Sequence, residues 1–225
     1  MPSWKGSPVS NRSIGLNYIY NENYEVAIFG DIDDFFQNNR IAVSLSKLKS
    51  VDIVVNDLNT FINGETSETN YLSERLQNNY MIDPSYVMKK NIFGLSNTAI
   101  KVNSIFSYSF PKNIIAFDWY FFTLCLLDGY KALFTNETST YYRMHENNIV
   151  GLGNTSKESF INTLEIKSKH FHALKEKYPQ YNDQYLCVIN LLKKLQNSIY
   201  FDNLEPIQIN YPLWWENTYS IQGEE

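Results

Sequence analysis

A short apolar run that ends in a cluster of acidic residues is the feature that most limits how this chain can fold. Residues 26–29 are Val-Ala-Ile-Phe, and Gly30 leads into a turn that carries Asp31, Asp33 and Asp34. A run this short and this apolar is typical of a buried strand. In open α/β sheets, ligands bind at the carboxyl ends of the strands. Carboxylates at that position suit a hard divalent cation such as Mg²⁺ or Mn²⁺.

The residues of this turn leave more than one chemical interpretation open. The aspartates are equally suited to a solvated turn that caps a helix. A haloacid-dehalogenase-like phosphatase is a further alternative, with Asp31 as nucleophile and Asp33 as general acid and base. Such enzymes usually continue with a small residue and a threonine, whereas this chain continues with Phe35 and Phe36 and has no later Gly-Asp-x-x-x-Asp motif. The phosphatase is therefore the second choice among enzymes.

Further strands are predicted from apolar runs and turn signals. Residues 51–58, Val-Asp-Ile-Val-Val-Asn-Asp-Leu, predict a second strand, and Asn63-Gly64 is a hairpin signal. Residues 130–143 are expected to form two short strands divided at Asn136. Because the segments between the strands have helical spacing, we predict an α/β fold built on a mixed sheet flanked by helices.

Helices are predicted between and after these strands. We expect one from Asp34 to about residue 50 with Asp34 as its cap, and a buried one over residues 118–129 capped by Asp118. Two more, at about 157–178 and 183–201, are expected on either side of Pro179. The chain is therefore predicted to comprise a core, residues 1–153, and a C-terminal helical extension with an aromatic tail, residues 154–225.

Charge and hydropathy exclude several classes of function. The 225 residues carry a net charge of −5, so no overall positive field attracts the chain to nucleic acid. No apolar run is long enough for a transmembrane helix, and the first residues lack the apolar segment of a signal peptide. We therefore expect a cytoplasmic protein with no integral membrane segment and no nucleic-acid partner.

Four segments in order resemble the family 2 glycosyltransferases, which have the GT-A fold. Residues 11–40 contain an Asn-Arg pair, a helical stretch, a strand and the Asp-x-Asp-Asp turn followed by an aromatic residue. Residues 94–105 resemble the acceptor-side segment of these enzymes. Residues 117–134 are similar to their Glu-Asp helix that ends at Gly, although Phe117 replaces the glutamate. Residues 141–151, Tyr-Tyr-Arg-Met-His-Glu-Asn-Asn-Ile-Val-Gly, resemble their closing Tyr-Arg-x-His segment.

The resemblance implies metal-dependent transfer of a sugar from a nucleotide-diphospho-sugar to a hydroxyl of a glycan or lipid-linked acceptor. The pathway that it suggests is cell-surface polysaccharide synthesis. It implies an inverting reaction in which Asp118 is the catalytic base and Mn²⁺ or Mg²⁺ neutralises the leaving diphosphate. The residues it assigns are the metal ligands Asp31, Asp33, Asp34 and His145, the donor-phosphate residue Arg143, and the acceptor-side residues Ser96, Asn97 and Trp119.

Each assigned residue also has a structural interpretation. Asp118 is equally a helix cap, and the isolated His145 is equally a packed histidine. Trp214 and Trp215 are suited to stacking on sugar rings, but aromatic residues near a terminus also pack against the body of a protein.

About ten residues precede Asn11, whereas complete GT-A enzymes have nucleotide-binding strands there. We therefore expect an N-terminally incomplete core with an exposed sheet edge, which favours a homo-oligomer. The alternative from a different class is a non-catalytic remnant of such an enzyme, or an assembly module.

Overall fold

A computed structural model describes residues 6–62, 64–102, 108–144 and 156–221. The helices are α1 Pro8–Asn21, α2 Arg40–Lys47, α3 Phe117–Leu127, α4 Lys157–Lys175, α5 Asn182–Leu195 and α6 Ser198–Asp202, with a short 3₁₀ helix at Pro179–Tyr181. The strands are β1 Val26–Ile28, β2 Phe35–Phe36, β3 Ile53–Ile62, β4 Glu65–Glu68, β5 Met81–Ile82, β6 Thr98–Lys101, β7 Ala132–Arg143, β8 Leu204–Pro206 and β9 Tyr219–Ile221.

The main sheet is mixed, as predicted. Its strands are ordered β1-β6-β3-β7-β2, with β4 paired to β3 and β5 paired to β7. The long central strands β3 and β7 run parallel, and the other pairs of this sheet are antiparallel. Among the described residues, no strand pairs with the outer edge of β1. The homo-oligomer expected from an exposed sheet edge stays a prediction.

Strand β3 confirms the second predicted strand and extends it to Ile62. Nine of its ten residues are buried, because it lies at the centre of the sheet with neighbours on both edges. The hairpin to β4 also forms, with Gly64 at φ +89° in the left-handed region that glycine tolerates. Asn63 lies outside the described residues.

The two strands predicted within residues 130–143 are instead one strand, β7. Thr135 pairs with Asn56, but the next partner, Asp57, pairs with Ser139, so residues 136–138 bulge out of the register. The polar residue Asn136 therefore marks a bulge rather than a break. The pairing with β3 continues on both sides of it.

The prediction that a helix begins at Asp34 is wrong. Phe35 and Phe36 form the edge strand β2 on β7, and α2 begins only at Arg40. The side chain of Asp34 caps no helix, because its two oxygens accept hydrogen bonds from Ser96 and the backbone of Arg143. Long-range partners therefore override the local capping signal.

Helix α3 confirms the prediction of a buried helix in this segment, although the predicted cap is wrong. Nine of its residues are buried, and Gly129, at φ +92°, follows its last turn. Its N-cap is Ala116, which places Asp118 inside the first turn. The side chain of Asp118 accepts the N–H of its neighbour Trp119 at 2.8 Å and does not close the end of the helix.

The C-terminal part contains the predicted helices and also a hairpin that was not predicted. Helices α4 and α5 are separated by Pro179, as expected, but the last predicted helix is divided at Asn197, whose side chain caps α6. Strands β8 and β9 then pair with each other. One apolar cluster joins the core of the sheet to buried residues of α4, α5 and the tail, so the packing is continuous across residue 153.

A buried histidine on α4 provides a pH probe of this packing. The ring of His170 is 1% exposed and stacks on Trp119 with centroids 3.8 Å apart and planes 10° apart. Neither ring nitrogen has a hydrogen-bond partner among the described residues. Burial, together with the nearby charge of Lys167, lowers the pKa of His170 well below its ordinary value.

We expect acid to destabilise the fold through this residue. Below about pH 6.5 an unfolded histidine binds a proton while native His170 stays neutral, so the free energy of unfolding falls by up to about 1.4 kcal/mol per pH unit. Chemical denaturation of the wild type and of His170→Phe between pH 5 and 7.5 measures this difference. Parallel pH profiles for the two proteins would show that His170 does not contribute it.

Candidate functional site

A cavity of ≈ 410 Å³ opens beside the acidic turn that follows β1. It brings together residues from α1, the turn, the loop before β6, the start of α3, strand β7 and the tail. The residues that line it are Arg12, Asp31, Leu58, Gly94, Leu95, Ser96, Asn97, Ile115, Ala116, Asp118, Tyr142, Trp214 and Trp215.

Two of the predicted carboxylates, Asp31 and Asp118, line this cavity. They are far apart in sequence, yet their carboxyl groups are close enough to interact electrostatically. Burial raises the pKa of both, and the adjacent Arg12 acts in the opposite direction. Asp118 is therefore a half-buried carboxyl group that faces the cavity, which is the environment of many general bases.

Arg12 supplies a positively charged side chain to the wall of this cavity, and this role was not predicted. It lies in α1, one turn after the helix N-terminus, where Ser7 caps the backbone by accepting the N–H of Ser10 at 3.3 Å. Arg12 is half-buried and interacts with Asp31 and Asp118. The only signal in the sequence was its place in the Asn-Arg pair, which the resemblance includes without assigning it a ligand.

Asp34, which was predicted as a metal ligand, also has a structural role in the turn. It is 8% exposed, and its Oδ1 accepts the backbone N–H of Arg143 at 2.8 Å while its Oδ2 accepts the hydroxyl of Ser96. Burial nevertheless raises the pKa of Asp34, against the effect of these two hydrogen bonds. Through these two hydrogen bonds Asp34 holds the turn in place, and its assignment as a metal ligand beside Asp31 and Asp33 stays a prediction.

Arg143, predicted to bind donor phosphate, instead contacts the turn. Its Nε donates to the carbonyl of Asp33 at 3.0 Å, and its guanidinium lies over the ring of Phe61, 4.4 Å from the centroid. It is not among the residues that line the cavity. Arg143 therefore positions the acidic turn, and Arg12 is the arginine that faces the cavity.

The predicted acceptor-side residues differ in where they lie. Ser96 and Asn97 line the cavity, but their side chains are committed to the fold. Asn97 accepts the N–H of Gly94 at 2.7 Å and donates to two carbonyls, those of Asn56 and Ile92. Trp119 is 0% exposed, and its indole donates to Val87, so its ring faces the core rather than an acceptor.

A second set of buried polar groups connects the end of β1, just before the acidic turn, to the central strands of the sheet. Arg40, 3% exposed, donates to Asn56 at 3.0 Å and to the carbonyl of Phe29 at 2.6 Å, at the end of β1. Burial lowers the pKa of Arg40 to about 10, which leaves it cationic at neutral pH. Asn56 continues the network to Thr140, which donates to the carbonyl of Ser96. The turn and the loop before β6 are thus fixed to the same two central strands.

The aromatic tail forms a wall of the cavity. Trp214 and Trp215 line it, and both are mostly buried, with exposures of 8% and 7%. The carbonyl of Trp214 accepts the N–H of Asn91 at 2.8 Å, and its ring packs edge-on against Tyr142 with centroids 5.7 Å apart. Arg75 fixes the segment by donating to Glu216 at 3.0 Å.

The carboxylates of the site determine whether it suits a divalent cation. Within the described residues, no group of three or more metal-ligating side chains lies together. His145, the predicted fourth ligand, lies outside the described residues. Asp31 and Asp33 remain, and they interact with each other electrostatically. Mg²⁺ commonly binds through one or two carboxylates plus substrate phosphates, so this pair fits a cation that arrives with a diphosphate.

Comparison with known proteins identifies the fold. No protein-family model matches the chain, and no curated protein matches it. Among solved structures, S. aureus TarS 1–349 in complex with UDP-GlcNAc matches at 12% identity with a TM-score of 0.52, over 89% of this chain and 57% of that one. The complex of the same protein with UDP matches at 10% identity and a TM-score of 0.51, over 88% and 54%.

These matches confirm the predicted fold class. The chain has the glycosyltransferase-like fold of TarS, with a mixed sheet flanked by helices. It spans little more than half the length of the TarS chains that it matches. Within the ranges that the structure describes, no helix has the length and apolar character needed to cross a membrane.

Proposed function

We propose that this protein is a family 2-like glycosyltransferase that transfers a sugar from a nucleotide-diphospho-sugar to a hydroxyl of a glycan or lipid-linked acceptor. The observation that carries the proposal is the meeting of Asp31, Asp118 and Arg12 in one cavity of a glycosyltransferase-like fold. Their positions at a strand end, a helix start and a separate helix make a chance surface cluster a poor explanation. The complexes of TarS with UDP-GlcNAc and UDP support a uridine-diphospho-sugar as the donor.

In the proposed reaction Asp118 is the general base. Its carboxylate accepts the proton of the acceptor hydroxyl while that oxygen attacks the anomeric carbon and the bond to the diphosphate breaks. A single base on the face opposite the leaving group gives inversion at the anomeric carbon. Burial raises the pKa of Asp118 and so makes the carboxylate a stronger base, while Arg12 limits that rise.

Asp31 and Asp33 would hold the cation, Mn²⁺ or Mg²⁺, and His145 would be a further ligand. The cation, when bound, supplies positive charge to the diphosphate, which makes it a better leaving group. Arg12 adds a second, permanent positive charge at the wall of the cavity. Hydrogen bonds among Asp34, Ser96 and Arg143 hold the acidic turn at the edge of the cavity.

Calorimetric titration with UDP, in the presence and absence of Mn²⁺, tests this proposal. We expect binding that depends on Mn²⁺ and weakens by at least about tenfold in Asp31→Asn and Asp33→Asn, because each substitution removes a charged ligand. Asp183→Asn, at the exposed start of α5, is the matched control and keeps full binding. Indifference of the wild type to both metal and nucleotide would overturn the proposal and favour a non-catalytic remnant.

A further inference from the structure

A second cavity, of ≈ 430 Å³, lies outside the site described above. The same tail segment borders both cavities, because Trp215 lines the first and the next residues, Glu216 and Asn217, line the second. The proposed sugar transfer requires nothing from this second cavity. The residues that line it are Ser85, Tyr86, Met88, Lys89, Lys90, Lys167, Ile209, Glu216 and Asn217.

Lys167, on α4, is the unusual member of this wall. The residue is buried, with 3% of it exposed, and its ammonium donates to the neutral amide oxygen of Asn217 at 2.5 Å. An ammonium has three N–H donors, and within the described residues this one makes a single hydrogen bond. A buried charge is costly unless it is paired with an opposite charge. The amide of Asn217 is neutral, so the ammonium of Lys167 lacks an anionic partner.

The other charges around the cavity do not supply that partner. Glu216 is the one carboxylate among the lining residues, and it is already engaged by Arg75, with contacts of 2.5 and 3.0 Å. Lys90 lies 3.9 Å from the same carboxylate and 4.6 Å from the ring centroid of Tyr86, and Lys89 adds a third ammonium to the wall. The lining residues therefore carry an excess of positive charge that faces an open volume.

We propose that this cavity is a phosphate-binding site in which Lys167 contacts a phosphate group, with Lys89 and Lys90 at its border. Lysine binds phosphate as a point charge, and three ammonium groups suit an anion with one or two charges. Tyr86, Met88 and Ile209 offer apolar surface for the carbon part of a phosphate ester. The ligand class is a phosphate monoester or a phosphodiester.

Protonation of Lys167 gives the site a pH dependence. Burial lowers the pKa of Lys167 to about 7, with Lys89 acting in the same direction and Glu216 and Cys187 opposing it. His170, one turn along α4, stays neutral. The anion binds the protonated lysine, so affinity is highest below pH 7 and falls by up to about tenfold per pH unit above it.

Dimethyl phosphate and inorganic phosphate are the probes. Calorimetry on the full chain measures the binding of each. Dimethyl phosphate carries one charge throughout pH 6–9, so its loss of affinity in that range reports on the protein alone. We expect Lys167→Met to weaken binding of at least one probe by at least about tenfold while the variant stays folded, because an apolar side chain suits a buried position. Preference for dimethyl phosphate indicates a phosphodiester ligand, and preference for inorganic phosphate a monoester.

Two matched variants separate this site from the first cavity. Lys169→Met removes the same charge from the same helix, but Lys169 does not line the cavity, so binding is retained. Arg12→Met alters the first cavity and leaves the Lys167-dependent binding unchanged, whether or not the chain transfers sugar. Equal binding by the wild type and Lys167→Met, or no binding of either probe to the wild type, would overturn the proposal.

Discussion

Asp118→Asn should reduce the rate of sugar transfer by about 10²–10⁴-fold, the usual contribution of a positioned general base. Asparagine has nearly the same shape but cannot accept the proton of the acceptor hydroxyl. Its side-chain oxygen can still accept the N–H of Trp119, so helix α3 keeps its first turn. Binding of UDP with Mn²⁺ should change little, because the cation is assigned to Asp31 and Asp33. Steady-state kinetics and calorimetry on the same protein measure the two effects separately.

The matched control for this variant lies at the other end of the same helix. Asp128 follows α3 and accepts hydrogen bonds from Tyr108 and from Tyr178, the latter at 2.9 Å. Asp128→Asn removes a carboxylate from the same element without altering the cavity, so the transfer rate should be preserved. A transfer rate in Asp118→Asn equal to that of the wild type would rule out the base assignment.

Asp57→Ala should cost about 3 kcal/mol or more in the free energy of unfolding, because it leaves several buried donors without an acceptor. Asp57 lies in the middle of β3 and is 1% exposed. Its Oδ1 accepts the N–H groups of Leu58 and Leu72, both at 2.8 Å, and its side chain also binds Ser73. This one carboxylate therefore connects the central strand to residues 71–76. Urea denaturation followed by circular dichroism measures the loss.

An exposed aspartate with a similar set of partners isolates the effect of burial. Asp83 accepts the N–H groups of Ser85 and Tyr86 at 2.8 and 3.2 Å, and also the hydroxyl of Ser85. Because water can replace these bonds, Asp83→Ala should cost only about 1 kcal/mol. Equal losses for the two variants would show that burial does not set the cost at Asp57.

Elements with an uninterrupted apolar run could be predicted from the sequence. Strand β3 and helix α3 were found because most of their residues are buried, so their composition alone identifies them. Strand β1 was found from its apolar run, although it lies at the edge of the sheet and is only partly buried. The break at Pro179 was found for a similarly local reason, since proline cannot continue a helix. The predicted mixed sheet followed from these elements and from the resemblance, and the fold comparison confirms it.

Elements that depend on a distant partner could not be predicted. Strand β2 consists of Phe35 and Phe36, and it exists because β7 offers an edge about a hundred residues later. Strand β7 itself contains polar residues at its bulge, so local pattern divided it at Asn136. The capping role expected of Asp34 failed for the same reason, because Ser96 and Arg143 bind its carboxylate from other parts of the chain.

The candidate site shows the same division. Asp31 and Asp118 were identified from their motifs, and both line the cavity. Arg12 was not assigned, because a single arginine on a helix has no pattern that indicates its direction. Trp215 was equally suited to packing or to sugar contact, and the structure gives it both a buried ring and a place in the cavity wall. The ligands of the cation remain a prediction.

The order in which a ribosome makes this chain bears on when it can act. Domains begin to fold as the N-terminal part emerges, so the acidic turn and α3 can assemble early in synthesis. The wall formed by Trp214 and Trp215, and its link from Glu216 to Arg75, come after every other part of the cavity. A nascent chain therefore has an open, unfinished cleft until these residues leave the exit tunnel. Any chemistry that needs the enclosed cavity is therefore postponed until residues 214–216 have emerged and packed.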